Sequence, residues 1–315
     1  MAELVTIGET MAALSPNRIG PLRHAGTLEL SIAGAESTVA IGASRLGRTA
    51  AWVGRLGADE FGQLVRMTLR GEGVDVHAAV DPAAPTGLMI KERRTADRRR
   101  VHYYRAHSAG SRLGPDDIPH RLIERAAVLH TTAITLALSG SAGATVHDAV
   151  HRARAAGVTV SFDANHRAKL WQLPEYRQAV TVLMPQLDLL FASLDEAQSL
   201  LRTDNTDPAE LAGMLLDRGP RTVVITLGAR GALSAGPSGV VRTDAVRVSE
   251  TDPVGAGDSF VAGYLCAVLA GRDERGRLGL AAQVAAYSVS AQGDWEGLPT
   301  ADELAQTPAA TDVSR

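Results

Sequence analysis

The sequence predicts an α/β fold with a mostly parallel central sheet and a few short strands outside it. Two observations lead to this fold class. Short runs of β-branched and aliphatic residues alternate with longer segments in which apolar residues recur every three or four positions, and alternating strands and helices are typical of a parallel sheet. The alternation extends from residue 3 to residue 292 and is interrupted at residues 10–32 and 86–119, where turn-forming residues separate shorter apolar pieces. A chain of 315 residues can bury such a sheet within one large domain.

The first part of the chain supplies two strand–helix pairs. Residues 3–8 predict a strand, and the segment that opens with Ala33-Gly34-Ala35-Glu36 predicts a helix that stops at Gly47. A second strand is predicted at residues 51–55, and the helix after it has Asp59 as a suitable N-cap. Between the first strand and the first helix, prolines and glycines break residues 10–32 into small strands that we place outside the main sheet.

A β-hairpin is predicted next, with strands at residues 86–94 and 98–105 around the turn Thr95-Ala96-Asp97. Five arginines flank this turn, and we interpret them as a solvated tip that discourages pairing with other strands: Arg93, Arg94, Arg98, Arg99 and Arg100.

The alternation then resumes and continues to the end of the fold. Strands are predicted at residues 127–131, 159–163, 187–192 and 221–227, with further short strands between 228 and 248. Helices are predicted at residues 141–156, 174–184, 193–200, 208–218 and 277–292. We therefore expect a single domain over residues 1–305, followed by a small, polar and disordered tail at 306–315.

Composition excludes several classes of function. The formal net charge of −3 gives no general attraction to nucleic acid or to anionic membranes. No segment is apolar for the length that spans a bilayer, and the N-terminus enters a strand without the features of a signal peptide, so we expect a cytoplasmic protein.

Cys266, the single cysteine, is expected to be a buried thiol. His147 and His151 stand four residues apart, but with no third ligand nearby we interpret them as an exposed helix face.

One stretch points to a specific chemistry. Gly255-Ala256-Gly257-Asp258 comes directly before a run with helical spacing, in which an apolar stripe includes Phe260, Tyr264 and Val268. The first N–H groups of a helix lack intrahelical partners, and glycine lets an anion approach them closely. A carboxylate beside such an anion-binding turn suggests phosphoryl transfer to a hydroxyl group, with Asp258 accepting the hydroxyl proton.

Two alternatives bear on this interpretation. The four residues could form only a tight turn with an acidic cap. A kinase of the P-loop class is excluded, because the sequence G-x-x-x-x-G-K-[ST] is absent and the chain has only two lysines, Lys91 and Lys169.

Four separate stretches together resemble the PfkB (ribokinase-like) family of carbohydrate kinases over about residues 3–299. They are the helix-opening segment Thr251–Phe260 with its GAGD core, the glycine segment at 33–47, the stretch Gly54-Arg55-Leu56-Gly57-Ala58-Asp59-Glu60-Phe61-Gly62, and the turn Thr226-Leu227-Gly228-Ala229-Arg230-Gly231. The resemblance implies a ribokinase-like three-layer sandwich with a small β-sheet lid, built from about residues 10–32 and 86–107. It also implies ATP as phosphoryl donor, Mg²⁺ as cofactor, and a potassium ion in some members.

Within that family, three stretches resemble 2-keto-3-deoxygluconate kinases. They are Tyr103-Tyr104-Arg105, the segment 163–171 (DANHRAKLW) and the segment 293–299 (GDWEGLP). A sugar acid carries a carboxylate, and a guanidinium satisfies a carboxylate with paired, charge-assisted hydrogen bonds. Arg105 and Arg167 both lie where an α/β sheet places its ligand. Phosphorylation of the terminal hydroxyl of 2-keto-3-deoxygluconate is therefore the expected reaction.

The resemblance assigns further residues to the site. Charge on the transferred group would be stabilised by the N–H groups of Gly255, Ala256 and Gly257, beside the base Asp258. The sugar acid would be held by Gly34, Tyr103, Arg105, Arg167 and Asp294. The nucleotide would be held by Ser193, Thr226, Gly228, Gly231 and Asp252, and Glu196 would reach the magnesium ion through water. Asp252 would also help to hold a monovalent cation or the turn itself.

The chain departs from the family pattern at four positions. Ala33 stands where a second glycine is usual, and Thr38 and Ser193 each stand where the family has asparagine. Ala282 replaces an asparagine that often borders the adenine. Two other functions therefore stay open, namely a kinase for a neutral sugar such as ribose or fructose, and a sugar- or nucleotide-binding regulator without turnover. We also expect a homo-oligomer, formed through the exposed face of the small sheet.

Overall fold

The computed structural model describes residues 1–95, 98–249 and 251–306. Two expectations lie outside the described residues, in whole or in part. They are the turn of the hairpin at Ala96 and Asp97, and the tail at 307–315.

The central sheet has nine strands in the described part of the chain, and their order is β13-β12-β11-β10-β9-β8-β1-β4-β5. The strands are β1 (Leu4–Ile7), β4 (Ala50–Gly57), β5 (Asp75–Asp81), β8 (Val128–Thr132), β9 (Thr159–Asp163), β10 (Leu189–Ser193), β11 (Thr222–Thr226), β12 (Ala232–Gly236) and β13 (Gly239–Thr243). All neighbours from β11 to β5 are parallel, whereas β12 and β13 are antiparallel additions at one edge. A mostly parallel sheet places the carboxyl ends of its strands along one edge, where ligands bind.

Helices cover both faces of this sheet. They are α1 (Ala35–Arg45), α2 (Glu60–Gly71), α3 (Ala133–Ala137), α4 (Gly140–Ala156), α5 (Leu173–Leu183), α6 (Leu194–Leu201), α7 (Pro208–Leu216), α8 (Ala256–Leu269), α9 (Glu274–Val289) and α10 (Ala301–Gln306). One apolar core joins α4, α5, α6 and α7 to one face, and a second core joins α1, α2, α8 and α9 to the other. The predicted three-layer sandwich is therefore confirmed.

Helix α8 is buried more completely than its sequence predicts. The predicted apolar stripe is buried at Phe260 and Tyr264, but burial also extends around the helix, because every residue from Ser259 to Ala267 is buried. Small residues explain the difference, because they let neighbouring helices come close. A Cβ atom on Gly42 of α1 would lie 2.7 Å from Ala262, and one on Gly263 would lie 2.9 Å from Ala281 of α9. Cys266 is buried within this contact, as expected.

A second, small sheet lies over the edge of the sandwich. Its strands are β2 (Met11–Pro16), β3 (Leu28–Ala33), β6 (Leu88–Arg93) and β7 (Arg99–Tyr104), in the order β3-β2-β6-β7. Met11, Ala13 and Met89 form a small apolar cluster on one face, which we call the inner face of the small sheet. The hairpin and the early strands thus belong to one sheet outside the main one.

The interpretation of the arginine-rich hairpin as a solvated tip is wrong for Arg99. Its Nη2 donates a hydrogen bond of 2.7 Å to the carbonyl oxygen of Thr251, and its Nε lies 3.4 Å from Oδ1 of Asp252. The alternation of strand side chains explains this contact, because Arg99 shares the inner face with Val101 and Tyr103. Arg94, Arg98 and Arg100 are exposed, as expected.

Three smaller points concern the remaining expectations. Helix α9 begins at Glu274, before the predicted start at 277, because Asp273 caps it through the N–H of Gly276. His147 and His151 lie exposed on α4, and no group of three metal-ligating side chains occurs among the described residues. None of the helices described is both long enough and apolar enough to cross a membrane.

Candidate active site

A cavity of about 470 Å³ lies at the carboxyl ends of the parallel strands, beneath the inner face of the small sheet. Its lining includes most of the site residues predicted from the sequence: Gly34, Tyr103, Arg105, Arg167, Ser193, Glu196, Thr226, Gly255, Gly257, Asp258 and Asp294. The lining does not include Ala256, Gly228, Gly231 or Asp252. The fold thus brings the predicted acid, base and anion-binding groups into one place.

The turn before α8 has the geometry of an anion-binding site. Gly255 has φ +81° and precedes the first helical residue, and a Cβ atom there would lie 2.2 Å from the carbonyl oxygen of Asp294. A Cβ atom on Gly257, by contrast, would meet no atom within 4 Å, so the space beside Gly257 is open to a ligand.

The donors at this turn differ slightly from the expectation. The N–H of Ala256 donates to the carbonyl oxygen of Pro253 at 3.3 Å. Within the described residues, the N–H groups of Gly255 and Gly257 have no acceptor, and they lie at the positive end of the α8 dipole. Two of the three predicted N–H groups are therefore available to an anion.

Asp258 is the third residue of α8, and its carboxylate lines the cavity beside this turn. Protein atoms surround the carboxylate on most sides, and this burial raises the pKa of Asp258 to about 7. The guanidinium of Arg167 lowers that pKa, while the carboxylates of Glu36 and Asp294 raise it. A group with a pKa near neutrality can accept and release a proton at physiological pH.

Asn165 was missed as a site residue in the sequence. Its Nδ2 donates to Oδ1 of Asp258 at 3.3 Å and to Oδ2 of Asp163 at 3.3 Å. Its backbone has φ +22°, an uncommon conformation for a residue other than glycine. The signal was present, because Asn165 is a polar residue two positions after the end of a parallel strand.

Asp163 ends β9 and is 8% exposed. Burial raises the pKa of Asp163 well above its ordinary value, and the nearby carboxylates of Glu196 and Asp258 raise it further. The amide of Asn165 therefore lies between two buried carboxylates.

The two predicted arginines lie in different environments. Arg105 is 8% exposed and forms an ion pair with Glu9, in which Nε lies 2.7 Å and Nη2 lies 2.5 Å from Oε2. Arg167 is exposed, and among the described residues it has no hydrogen-bond acceptor and no ion-pair partner. Glu9 is a second site residue that the sequence did not indicate.

Tyr103 lies between two cations at the inner face of the small sheet. The guanidinium carbon of Arg105 is 5.6 Å from the centre of its ring, and Nζ of Lys169 is 5.5 Å from it. Lys169 also donates a hydrogen bond to the carbonyl oxygen of Val101 in β7. The segment 163–171 is thereby attached to the small sheet.

Asp294 is 7% exposed and lines the cavity near Asp258. Its Oδ1 lies 2.7 Å from Nζ of Lys91 in β6. Burial raises the pKa of Asp294, and the Lys91 ammonium lowers it. Lys91 therefore connects the small sheet to the loop between α9 and α10, a contact that the sequence did not indicate.

The loop that carries Asp294 is fixed by Arg45 at the end of α1. One guanidinium nitrogen of Arg45, Nη1, donates to three carbonyl oxygens, those of Trp295, Glu296 and Leu298, at 3.3, 3.2 and 2.6 Å. Ser31 of β3 adds a hydrogen bond of 2.5 Å to the carboxylate of Glu296. These contacts hold the loop directly after Asp294.

Ser193 and Glu196 form a capping box at the start of α6. Oε2 of Glu196 accepts hydrogen bonds from the N–H and the Oγ of Ser193, and Oε1 accepts one from the N–H of His166 at 2.7 Å. Ser193, which stands where the family has asparagine, thus orients the carboxylate of Glu196 in the cavity.

The remaining predicted nucleotide-binding residues lie at the rim. Thr226 ends β11 and lines the cavity, and Gly228 and Gly231 form the turn that follows, with φ values of +58° and +88°. A Cβ atom on Gly231 would lie 2.0 Å from the carbonyl oxygen of Thr243, so glycine is required there by the fold. Asp252 lines an adjacent cleft.

The other departures from the family pattern have different positions. Thr38 lines the cavity, and its buried Oγ1 has no hydrogen-bond partner among the described residues. Gly34 also lines the cavity, and a Cβ atom there would lie 2.6 Å from the carbonyl oxygen of Glu9. Ala282 is 7% exposed on α9 and does not line this cavity.

Comparisons with known proteins agree with this geometry. The profile of the pfkB family of carbohydrate kinases matches residues 1–301. The chain is 41% identical to a 2-dehydro-3-deoxygluconokinase of Thermoproteus tenax, over 96% of this chain and 93% of the relative. It is 37% identical to a 2-dehydro-3-deoxygalactonokinase of Haloferax volcanii, over 96% of this chain and 95% of the relative.

Solved structures share the fold. A 2-dehydro-3-deoxygluconokinase of Thermotoga maritima superposes with a TM-score of 0.89 at 26% identity, over 97% of both chains. An uncharacterised sugar kinase of Pyrococcus horikoshii in complex with ATP superposes with a TM-score of 0.85 at 26% identity, over 96% of this chain and 97% of that one.

Proposed function

This chain belongs to the pfkB family of carbohydrate kinases, and on this premise we propose that it phosphorylates the terminal hydroxyl of a 2-keto-3-deoxy sugar acid, with ATP as donor. The preferred acceptor would be 2-keto-3-deoxygluconate, which is also called 2-dehydro-3-deoxygluconate. One observation carries the proposal: the carboxylate of Asp258, the N–H groups of Gly255 and Gly257, and the guanidinium groups of Arg105 and Arg167 all line the same cavity.

Asp258 is proposed to act as the general base. It accepts the proton of the terminal hydroxyl while that oxygen bonds to the γ-phosphorus, and the bond between the γ-phosphorus and the bridging oxygen breaks to release ADP. The N–H groups of Gly255 and Gly257 would donate to the oxygens of the transferred group, where charge is concentrated in the transition state. Asn165 keeps the base in place through its hydrogen bond to Oδ1 of Asp258.

The sugar acid would bind between the two arginines and the inner face of the small sheet. Arg105 and Arg167 are the cationic groups suited to its carboxylate, and Tyr103 supplies an apolar ring surface beside them. Gly34, Thr38 and Asp294 would contact the rest of the sugar acid, namely its carbon backbone and hydroxyl groups. The small sheet would act as a lid that excludes water, because water competes with the sugar as acceptor.

The nucleotide would lie along Ser193, Thr226 and the turn at Gly228 and Gly231. Glu196 is proposed to contact Mg²⁺ through a water molecule. A carboxylate has about four acceptor positions, and hydrogen bonds within the chain use three of those of Glu196, so one remains for the water. When bound, the metal would neutralise charge on the phosphates.

Asp252 is a poor fit for a potassium ion. Its Oδ1 accepts a hydrogen bond from the N–H of Val254 at 3.3 Å, and Nε of Arg99 lies 3.4 Å from the same atom. A cation there would be repelled by the guanidinium of Arg99. We therefore propose no step that depends on potassium.

A homo-oligomer is proposed through the outer face of the small sheet. Apolar and aromatic side chains lie side by side on this face: Leu14, Leu28, Leu30, Ile90 and Tyr104. Leu30 is 50% exposed and Tyr104 is 61% exposed. Light scattering during gel filtration tests the proposal, since Leu30→Glu should reduce the assembly to monomers and a monomeric wild type would contradict it.

We also propose a cytoplasmic location, where ATP is available to the kinase. Cell fractionation checks this proposal.

An acceptor panel tests the function. ADP release is measured with 2-keto-3-deoxygluconate, its galactonate epimer, ribose and fructose as acceptors. The sugar acids should have the highest kcat/KM, because only they supply a partner for both arginines. A higher kcat/KM for a neutral sugar would favour the neutral-sugar kinase, and binding of a sugar acid without ADP release would favour the regulator.

A further inference from the structure

Glu9 is a buried carboxylate in the loop after β1. Its side chain is 1% exposed, and the chain leaves space for it with two glycines. A Cβ atom on Gly110 would lie 2.3 Å from Cγ of Glu9, and one on Gly87 would lie 2.7 Å from Oε1. A buried charge of this kind is unfavourable unless it is paired, so its partners define its role.

Those partners leave one end of Arg105 free. Oε2 of Glu9 accepts from both Nε and Nη2 of Arg105, and Oε1 accepts a hydrogen bond from Oγ of Ser108. The side edge of the guanidinium, formed by Nε and Nη2, is therefore occupied. Among the described residues Nη1 has no acceptor, and Arg105 lines the cavity.

We infer that Glu9 is a positioning residue for sugar-acid recognition, which fixes the guanidinium of Arg105 so that its free Nη1 end faces the carboxylate of the acceptor. The inference rests on the proposed function, because it assumes an acceptor with a carboxylate. Without Glu9, Arg105 would have to be ordered by the substrate at the expense of binding free energy. With Glu9 the donor is already oriented, as a preorganised site requires.

The position of Arg105 in the chain explains why it needs such an anchor. Arg105 follows β7 directly, where the small sheet joins the main domain, and Glu9 follows β1 of the central sheet. The ion pair therefore ties a residue at the edge of the small sheet to the rigid sandwich. Ser108, also bonded to Glu9, fixes the turn after Arg105.

Glu9→Gln tests the inference, because it keeps the shape and removes the charge. The KM for 2-keto-3-deoxygluconate should rise about tenfold or more, which corresponds to the loss of a charge-assisted hydrogen-bonding partner. The kcat and the KM for ATP should stay within about twofold, since a positioning role toward one substrate leaves the other unaffected. A purely structural role would instead change the KM values for both substrates together, whereas a lower melting temperature is expected under either role because Arg105 loses its buried partner.

Two further variants separate the explanations. Ser108→Ala is the matched control, because it removes the bond to Oε1 and leaves the ion pair, so it should change the KM for the sugar acid much less. Gly110→Ala keeps the charge but displaces Glu9, and it should raise the same KM. If Glu9→Gln does not fold, Gly110→Ala decides the question.

A double-mutant cycle with Arg105→Ala completes the test. If Glu9 acts through Arg105, Glu9→Gln should have little further effect on the KM in the Arg105→Ala background, and additive effects would overturn the inference. An unchanged KM for the sugar acid in Glu9→Gln, with a wild type that phosphorylates it, would overturn the inference alone. A wild type that phosphorylates no sugar acid would overturn the proposed function and the inference with it.

Discussion

Nδ2 of Asn165 lies 3.3 Å from Oδ1 of Asp258, and the same nitrogen lies 3.3 Å from Oδ2 of Asp163. One amide thus joins the proposed base to a second buried carboxylate at the end of β9. An amide nitrogen has two N–H donors, and here each has a carboxylate acceptor. The base is therefore oriented from the sheet as well as from its own helix.

Asp258→Asn tests the base. The variant keeps the size of the side chain and cannot accept the hydroxyl proton, so kcat should fall by about 10²- to 10⁴-fold. The KM values for ATP and the sugar acid should change little, because the arginines and the glycine turn remain. Rapid-quench measurement of phosphoryl transfer checks this prediction, and unchanged turnover would refute the assignment.

The pH dependence of kcat/KM should report the same carboxylate. Asp258 must be ionised to accept a proton and its pKa is raised to about 7, so kcat/KM should fall as the pH drops below about 7. The guanidinium of Arg167 lowers the pKa of Asp258, so in Arg167→Gln this decrease of kcat/KM at low pH, the acidic limb of the profile, should begin at a higher pH. The limb is measured with saturating ATP, and a wild-type limb near pH 4 would contradict the role of burial.

Two glycines of the turn form a matched pair for testing the anion site. Gly257→Ala places a methyl group in open space on a helical residue, so the melting temperature should be unchanged or slightly higher while the KM for ATP rises and kcat falls. Gly255→Ala should destabilise the protein, because φ is +81° and the methyl group would lie 2.2 Å from a carbonyl oxygen. Calorimetry and steady-state kinetics on both variants check the contrast. Normal kinetics in Gly257→Ala would show that no anion binds there.

Arg167→Ala tests recognition of the acid. Arg167 has no hydrogen-bond acceptor and no ion-pair partner among the described residues and acts on Asp258 and Asp163 through its charge alone, so its removal should lower the melting temperature only slightly. The KM for sugar acids should rise by about tenfold or more, with a much smaller change for any neutral sugar that is a substrate. Equal changes for both kinds of acceptor would indicate a role other than carboxylate binding.

Lys91→Met tests whether the small sheet is held closed. The variant removes the partner of Asp294, a carboxylate that is 7% exposed, so the small sheet should open to hydrate it and the KM for the sugar acid should rise. Lys169→Met is the comparison, because it removes the other lysine contact of the small sheet, the hydrogen bond to Val101, but leaves Asp294 paired, so it should open the sheet less. Lys91→Met combined with Asp294→Asn should keep the sheet closed, and hydrogen exchange of β6 and β7 distinguishes the three proteins.

Local features could be predicted from the sequence because their physical causes lie within a few residues. The start of α8 follows from Gly255 and the spacing after it, and the capping of α2 follows from Asp59. Strand β5 was missed because it is an edge strand with polar residues at both ends and no clear alternation. Helix α3 was missed because its five residues are too short for a periodic pattern.

Contacts between distant residues could not be predicted in this way. Glu9 and Arg105 are 96 residues apart, and Lys91 and Asp294 are 203 residues apart. The motifs around Arg105 and Asp294 indicated that both residues belong to the site. The spacing of residues along the sequence does not show which oppositely charged side chain forms an ion pair with each of them. The site residues that were missed are therefore those that support the predicted ones.

Both lysines of the chain join the small sheet to the rest of the protein, Lys91 through Asp294 and Lys169 through the carbonyl oxygen of Val101. These two side-chain amines are thus the targets of any acylating reagent that modifies lysine. Lys169 is already exposed, whereas the side chain of Lys91 is 16% exposed, so the extent of brief acetylation at Lys91, measured by mass spectrometry, would report how often the sheet lifts, without an engineered label. Attachment of the enzyme to a resin through its lysines would also hold the sheet open, so coupling through another group would be needed to preserve turnover.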